Sequence, residues 1–354
     1  MPSQQRQRLR DLGIAPGHYP TGPSNSITDV AGVQVGHATV IDGATIRTGA
    51  TAILPHAGNL FQDKVPAALA VLNGFGKFAG STQIAELGEL ESPILLTNTL
   101  ATGRAIEAIH RWTLAQPGNE RVVSINAVVG ETNDSRLNDI RAGRPTIDEI
   151  GLALAAATVA PVIEGAVGAG TGTVAFGLKG GIGCSSRRVG IDGETFTIGV
   201  LVQSNYGGTL RIGGQPYETP SAHDRDGSIV IVVATDAPLS ARNLERLATR
   251  AFGGLARTGA ALSNGSGDYA LAFSTADGVR RTPERRKTIT AYPDLSNERI
   301  SPLFEAAIEA TEEAILNSLC MAETTSGFNA VSGKHSTIEA ISPARIATIR
   351  GNQS

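Results

Sequence analysis

The stretch "SAHDRDGSIVIVVATDAPLS", residues 221–240, contains the sharpest change of character in the chain. Polar, turn-forming residues lead to Gly227 and Ser228, and an unbroken apolar run from Ile229 to Ala234 follows at once. A short continuous apolar run bounded by turn residues is typical of a buried strand. We therefore expect a small hydroxyl residue, Ser228, at the junction between an exposed segment and the core.

The sequence on both sides of this junction mixes strand and helix patterns and shows no repeat of fixed period. Residues 238–256 predict a helix that Ser240 can cap, and residues 302–322 predict a long final helix. The polar, turn-rich residues 209–227 are interpreted as an exposed linker. We expect one α/β domain spanning residues 1–354.

Bulk properties exclude several classes of protein. The 354 residues are 41% hydrophobic, which is enough for a large core, and the net charge is −3. The chain has no long basic run, so we expect no nucleic-acid partner. It also lacks an 18-residue apolar span and a signal-peptide pattern, which predicts a cytoplasmic protein without a membrane partner. Cys184 and Cys320 are too few and too far apart for a disulfide framework.

Familiar nucleotide and metal motifs fail on inspection. The Gly-Lys pairs at 76–77 and 333–334 are not followed by Ser or Thr, so neither is a phosphate loop. The Gly-Thr-Gly at 170–172 leads into a strand-like segment, which is weak support for dinucleotide binding. The six histidines show no metal-ligand spacing, no G-x-S-x-G elbow is present, and a Ser-His-Asp triad stays open. We expect no metal and no organic cofactor.

The Gly227–Ser228 junction has two interpretations. In the first it is an ordinary turn, since Asp-Gly-Ser turns before strands are common. In the second the bond is cut and frees the α-amino group of Ser228, whose ordinary pKa of about 7.7–8.0 leaves part of it neutral at pH 7. That amine can act as the base that activates the serine's own hydroxyl. Gly227 favours cleavage because it leaves the scissile carbonyl sterically open.

Motifs elsewhere in the chain strengthen the second interpretation. They are "NAVVGETND" from residue 126, "GAVGAGTGTVAFGLKGGIGCSSRRV" from 165, "LVQSNYG" from 201, "RDGSIVIVVATDAPL" from 225 and "SNGSGDYALAFSTA" from 263. Together they resemble the P1 family of self-processing aminopeptidases, which includes L-aminopeptidase D-amidase/D-esterases and β-peptidyl aminopeptidases. The resemblance extends from about residue 20 to residue 342.

The resemblance implies a fold, a processing event and a reaction. The fold would be a four-layer αββα sandwich, shared with ornithine acetyltransferases and superficially like the Ntn-hydrolases. Self-cleavage would give an α chain, 1–227, and a β chain, 228–354, and the two-chain units would form a homotetramer. The enzyme would hydrolyse N-terminal residues from short peptides, amides or esters through an acyl-enzyme on Ser228.

The resemblance also assigns the catalytic residues. Ser228 matches the nucleophile, and Ser266 and Asp268 match the residues that orient it and tune its amine. The family often has glutamate where this chain has Asp268, one methylene shorter. Asn205 matches the side chain that donates to the oxyanion. Taken without the resemblance, Ser266 and Asp268 are equally typical of a turn, and Asn205 of a strand end.

Substrate recognition is implied at the "GETND" segment. Glu131 matches the acidic residue that pairs with the free amino group of the substrate, although on its own it is more typical of an exposed carboxylate. Asn133 lies where the family varies, and its backbone N–H is expected to complete the oxyanion site. The nine glycines between 165 and 190 are interpreted as close packing that also shapes the site.

Two alternatives remain at this stage. One is a self-cleaving acyltransferase of the ornithine acetyltransferase type, which uses threonine as its nucleophile, so that Ser228 disfavours it. The other is a non-catalytic, glycine-rich α/β binding protein.

Overall fold

The computed structural model describes residues 6–220 and 227–351. Its strands are β1 (Gln34–Asp42), β2 (Ile46–Leu54), β3 (Val65–Gly74), β4 (Phe78–Ala79), β5 (Glu89–Leu90), β6 (Ile94–Asn98), β7 (Val128–Thr132), β8 (Val174–Ala175), β9 (Leu178–Lys179), β10 (Gly181–Ile191), β11 (Glu194–Asn205), β12 (Arg211–Ile212), β13 (Gln215–Pro216), β14 (Ser228–Thr235), β15 (Gly267–Ser274), β16 (Thr325–Asn329) and β17 (Lys334–Ile338). Its helices are α1 (Ser81–Leu87), α2 (Thr102–Leu114), α3 (Ile147–Ala155), α4 (Ala241–Arg257), α5 (Ser301–Cys320) and α6 (Pro343–Gly351).

Most strands belong to two sheets. The larger has the order β10-β11-β14-β15-β3-β5, and the smaller has the order β1-β2-β6-β7-β4. Strand β14 is central in the larger sheet, antiparallel to β11 and parallel to β15. All eight of its residues are buried. The expected buried strand after Gly227 is therefore present.

The alternation of side chains along β14 explains why its apolar run is unbroken. Val230 and Val232 point into a core shared with the smaller sheet, where Leu96 and Val128 also lie. Ile229 and Ile231 point to the opposite face, where they belong to the core covered by α4 and α5. Each such side chain, fully buried, contributes about 1.5–3 kcal/mol to stability.

Helices cover the outer faces of both sheets. Helices α4 and α5 pack on the larger sheet, and α2 and α3 pack on the smaller one. The result is a four-layer αββα sandwich, and the expected fold is confirmed. Within the described residues, no helix combines the length and apolar character needed to cross a bilayer.

The glycine-rich stretch between 165 and 190 lies where backbones approach closely. A Cβ placed on Gly183 of β10 would lie 1.9 Å from the carbonyl oxygen of Ala314 in α5. A Cβ on Gly165 would lie 2.3 Å from the carbonyl oxygen of Met321. The contacts at these positions are with protein backbone, as the packing interpretation requires.

Helix ends follow their capping residues. Ser240 accepts the N–H of Asn243 at the start of α4, as expected. Thr146 forms a capping box with Glu149 at the start of α3.

The interpretation of residues 209–227 as an exposed linker was wrong at three positions of residues 209–220, most of which are exposed. Leu210, Ile212 and Tyr217 are buried in the core next to the larger sheet. Strands β12 and β13 form a short hairpin that begins after Leu210 and ends before Tyr217. Three isolated apolar residues in a turn-rich segment resemble a loop, and only packing against distant elements shows their role. Residues 221–226 of the expected loop lie outside the described residues.

Candidate active site

Ser228, the first residue of β14, opens onto a cavity of about 510 Å³ between the ends of the two sheets. Gly227, Asn205, Asn133 and Glu131 also line this cavity. The structure therefore places the expected nucleophile, oxyanion donor and amine-binding carboxylate around one space. A pocket of this size suits a small molecule or a short peptide end.

The backbone at the junction requires glycine. Gly227 has a φ of +149°, and a Cβ there would lie 2.2 Å from the carbonyl oxygen of Asn205. The Gly227 carbonyl accepts a hydrogen bond from the N–H of Gly267 at 3.1 Å. The same N–H lies 3.3 Å from Ser228 Oγ. One backbone donor thus faces both the carbonyl before the junction and the hydroxyl after it.

Ser266 and Asp268 flank Gly267, which pairs directly with Ser228 across β14 and β15. The Ser266 hydroxyl donates to Asp268 Oδ1 at 2.7 Å, and both side chains are buried. Burial raises the pKa of the Asp268 carboxyl, and the hydrogen bond from Ser266 opposes that effect. Among the residues described, Asp268 Oδ2 is buried without a hydrogen-bond partner. A buried acceptor without a partner is costly, so this oxygen is suited to receive a cation.

Asn205 ends β11 and pairs with Ser228 on the other side. Its Oδ1 accepts the N–H of Val174 at 2.9 Å, which fixes the orientation of the amide. Its Nδ2 donates to the Asn133 carbonyl at 3.0 Å. An amide NH₂ has two N–H groups, so one remains for a ligand in the cavity. Asn133 thus contacts Asn205 through its backbone carbonyl, and the expected role of the Asn133 N–H at the oxyanion site stays a prediction.

Glu131, in β7, is buried in the wall of the cavity with 3% of its surface exposed. Its Oε1 accepts the backbone N–H of Lys77 at 2.9 Å and lies 3.8 Å from Lys77 Nζ. Its Oε2 accepts a hydrogen bond from the Thr99 hydroxyl. A carboxylate has about four acceptor positions, so Glu131 can still take a substrate ammonium.

Several residues of the site were missed in the sequence. The sequence around Lys77 indicates only a failed phosphate-loop pattern, and no motif distinguishes Thr99. Gly267 and Val174 act through backbone N–H groups, which leave no side-chain signature. The only signal for Gly267 was its place between Ser266 and Asp268.

In the described parts of the chain, no group of three or more His, Cys, Asp or Glu side chains is arranged to hold a metal ion. Cys184 and Cys320 are unpaired and buried, and burial raises the pKa of each thiol to about 12. Such thiols are poor nucleophiles.

The four-layer sandwich and the serine at the head of its central strand define an Ntn-hydrolase-like enzyme. The family follows from comparison with known proteins, because residues 25–332 match the model of peptidase family S58. The chain belongs to this family and is a serine aminopeptidase/amidase.

Three relatives support the assignment. A β-peptidyl aminopeptidase of Sphingosinicella xenopeptidilytica is 40% identical, over 91% of this chain and 87% of its own length. A solved structure from Pyrococcus horikoshii has a TM-score of 0.90 and 42% identity, covering 98% of this chain and 99% of that one. The L-aminopeptidase D-Ala-esterase/amidase of Ochrobactrum anthropi, described as a variant of the Ntn-hydrolase fold, has a TM-score of 0.89 and 36% identity, with coverage of 98% and 99%.

Proposed function

We propose that this aminopeptidase is made as a precursor that cuts its own Gly227–Ser228 bond and then uses Ser228 as an N-terminal nucleophile. The observation that supports this most is the shared hydrogen bond at the junction. The N–H of Gly267 faces both the Gly227 carbonyl oxygen and Ser228 Oγ. The attacking hydroxyl of Ser228 and the Gly227 carbonyl that it would attack therefore lie beside the same hydrogen-bond donor.

Self-cleavage begins when Ser228 Oγ attacks the Gly227 carbonyl carbon. The Gly267 N–H, already bonded to the carbonyl oxygen, stabilises the oxyanion that develops there. The C–N bond then breaks, the Ser228 nitrogen takes up the proton that leaves Oγ, and an ester remains. Water hydrolyses the ester, which leaves a carboxylate on Gly227 and a free amine and hydroxyl on Ser228.

Substrate hydrolysis uses the amine so released. The neutral amine takes the Oγ proton while Oγ attacks the substrate carbonyl, and the proton passes to the leaving amine. Asp268 Oδ2, the buried acceptor without a partner, receives the transient ammonium. Asn205 Nδ2 donates to the substrate oxyanion, and such a donor contributes about 2.7–4 kcal/mol to transition-state stabilisation. Water then hydrolyses the acyl-enzyme.

The substrates are short peptides, amides or esters with a free N-terminal amine. Glu131 supplies the charge that pairs with that amine, and its burial strengthens the attraction. The relatives named as β-peptidyl aminopeptidases support including substrates with an N-terminal β-amino acid.

We also propose that the two-chain unit assembles as a homotetramer and works in the cytoplasm. The unpaired cysteines support a reducing compartment. Light scattering of the native protein tests the assembly, and a mass other than four two-chain units contradicts it.

Hydrolysis assays with alanine p-nitroanilide and a β-alanyl amide test the proposed function. The wild-type protein should run as two bands and hydrolyse at least one of these substrates. Ser228→Ala should remain uncut and inactive, whereas Ser228→Thr keeps a hydroxyl and an amine and should still be cut, more slowly. Cleavage that persists in Ser228→Ala removes Ser228 from the mechanism.

A further inference from the structure

Lys179 is a buried lysine in the segment that lines the cavity through Val174, and the proposed mechanism does not use it. Its exposed fraction is 0%. Its Nζ donates to the carbonyl oxygens of Gly170 at 2.8 Å, Thr173 at 2.9 Å and Gly180 at 2.7 Å. An ammonium group has three N–H donors, and here each has an acceptor. Burying an ammonium is costly, so a site built around it needs an explanation.

The three acceptors belong to one loop. Residues 170–180 include the β8–β9 hairpin and lead into β10 of the larger sheet. Val174 and Lys179 pair across that hairpin. The Lys179 side chain thus reaches back into the loop that carries it and joins its beginning, middle and end.

One peptide group connects Lys179 to the active site. The carbonyl of the Thr173–Val174 peptide accepts from Lys179 Nζ, and the N–H of the same peptide donates to Asn205 Oδ1 at 2.9 Å. In a planar trans peptide these two groups point in opposite directions. A cation on the carbonyl side fixes the plane and also polarises the N–H, which strengthens its hydrogen bond.

We propose that Lys179 is a positioning residue for the oxyanion donor: it holds the Thr173–Val174 peptide so that Asn205 turns its Nδ2 towards the reacting carbonyl. The inference rests on the proposed function, because it assigns a role to a residue that acts through Asn205. Lys179 itself does not touch the substrate.

Two opposing effects act on the charge of the Lys179 amine. Burial lowers the pKa of Lys179 to about 7, against the opposing effect of the Asp134 carboxylate. The three carbonyl acceptors favour the protonated form, since a neutral amine has only two N–H groups. Asp134 is itself held by the Thr48 hydroxyl at 2.6 Å and by Asn138 Nδ2 at 3.0 Å.

A double-mutant cycle between Lys179→Met and Asn205→Ala, measured on alanine p-nitroanilide, tests the inference. Lys179→Met should lower kcat about 10- to 100-fold and change KM less than about threefold, because a small misplacement of a catalytic group has effects of that size. In the Asn205→Ala background the same substitution should change kcat less than about threefold, because the group that it positions is gone.

The matched control is Lys64→Met. Lys64 is the other buried lysine of the described residues, and it pairs with Glu91 Oε2 at 2.6 Å. Its loss should reduce stability and leave kcat unchanged. Lys179→Gln serves as a second variant if the methionine variant does not fold, with the same pattern expected.

The outcomes are distinguishable. Lack of hydrolysis by the wild-type protein overturns the proposed function and this inference together. If the wild-type enzyme is active, the inference alone is overturned when Lys179→Met lowers kcat equally in the wild-type and Asn205→Ala backgrounds. It is also overturned when Lys179→Met does not lower kcat at all. An equal loss of kcat in Lys64→Met assigns the effect to general stability and overturns it as well.

Discussion

In the proposed mechanism, the surroundings of Asp268 change when Ser228 becomes an N-terminus. In the structure its Oδ2 is buried without a partner, and burial raises its pKa. An ammonium on Ser228 reverses that situation, since a nearby opposite charge favours the ionised carboxylate and equally favours the protonated amine. We therefore expect the pKa of the freed amine to be higher with Asp268 than without it.

This coupling predicts a pH shift for Asp268→Asn. Loss of the carboxylate lowers the pKa of the Ser228 amine, so the acidic limb of the kcat/KM profile should move to lower pH by about one unit. Asp268→Glu keeps the charge and should leave the midpoint in place. The measurement is the pH dependence of kcat/KM on an uncharged leaving group. An unchanged midpoint in Asp268→Asn contradicts the assignment.

Glu131 gives a prediction about substrate binding. Glu131→Gln keeps the shape and the acceptor for Lys77 N–H but removes the charge that we propose pairs with the substrate amine. We expect kcat/KM for free-amine substrates to fall at least tenfold, because one buried charge-assisted hydrogen bond contributes about 1.5–3 kcal/mol. Steady-state kinetics checks this, and self-cleavage, which involves no substrate amine, is the internal control. Unaltered kcat/KM places the amine elsewhere.

At the residue scale, motifs that resemble those of a known family predict Glu131, Asn205 and Ser228, which line one cavity, but not the Lys77 and Thr99 side chains that contact Glu131. The structure adds what motifs do not record. Gly267 and Val174 act through their backbone N–H groups. Every residue except proline has such a group, so the residue type does not indicate this role. For Asn133, the expected group was the backbone N–H, but the group that contacts Asn205 in the structure is the backbone carbonyl. Asn133 also lines the cavity.

At the element scale, the close contact of β10 with α5 sets the position of that helix against the larger sheet, and α5 is followed by α6 and is not the final helix that the sequence predicts. Gly183 faces α5 so closely that a Cβ would lie 1.9 Å from the Ala314 carbonyl oxygen and 2.6 Å from the Ser318 backbone nitrogen. A helix this close to a strand needs glycine at the crossing. The same strand carries Gly190, around which a Cβ meets nothing within 4 Å.

These two glycines predict opposite responses. Gly183→Ala should destabilise the protein by about 1–3 kcal/mol, because the backbones must move apart. Gly190→Ala is the matched control and should be neutral or slightly stabilising, since alanine loses less entropy on folding. Denaturant unfolding of the uncut Ser228→Ala protein measures both. Equal effects of the two substitutions would falsify the packing account of the glycine-rich stretch.

Element prediction from sequence succeeded where a pattern was long or sharply bounded. The run from Ile229 to Ala234 is apolar because both faces of β14 are covered, and that pattern identifies a buried strand directly. The hairpin of β12 and β13 was missed because its apolar residues are isolated. Tyr217, for example, is buried against α6, where its ring lies 4.7 Å from the Arg345 guanidinium.

At the scale of the whole molecule, the proposed cut divides the larger sheet without opening it. Strands β14 and β15 come from residues 228–354, and β11 and β3, on either side of them, come from residues 1–227. The later segment therefore supplies the two central strands, and each is hydrogen-bonded to a strand of the earlier segment. We expect the two chains to separate only under denaturing conditions, as native and denaturing mass spectrometry can show.

A buried ionic network adds to this association. Arg187 of β10 is 0% exposed and donates to Glu313 Oε2 in α5 at 2.7 Å. Arg10 Nε lies 2.8 Å from Oε1 of the same Glu313 carboxylate. Burial alone raises the pKa of Glu313, but Arg10 and Arg187 together lower it. The network joins residues of the earlier chain to residues of the later one.

Removing Arg187 should therefore be costly and pH-dependent. Arg187→Met leaves Glu313 buried with less compensation, and loss of one partner of a buried pair typically costs about 3–5 kcal/mol. Because the folded pKa of Glu313 is depressed, its contribution is present above the unfolded pKa and is lost as pH falls through the folded value. The difference from the wild type should shrink in acid. Unfolding free energies at pH 8 and pH 4 measure this, and a pH-independent difference contradicts it.

The account depends most directly on Ser228 becoming a chain terminus. N-terminal sequencing of the smaller band from the purified wild-type protein tests this in one measurement. The account predicts a band that begins Ser-Ile-Val-Ile-Val, with the bond after Gly227 cut and the remaining chain ending at that glycine. A single uncut chain in a preparation that hydrolyses amide substrates, or a smaller band that begins at another residue, would contradict it.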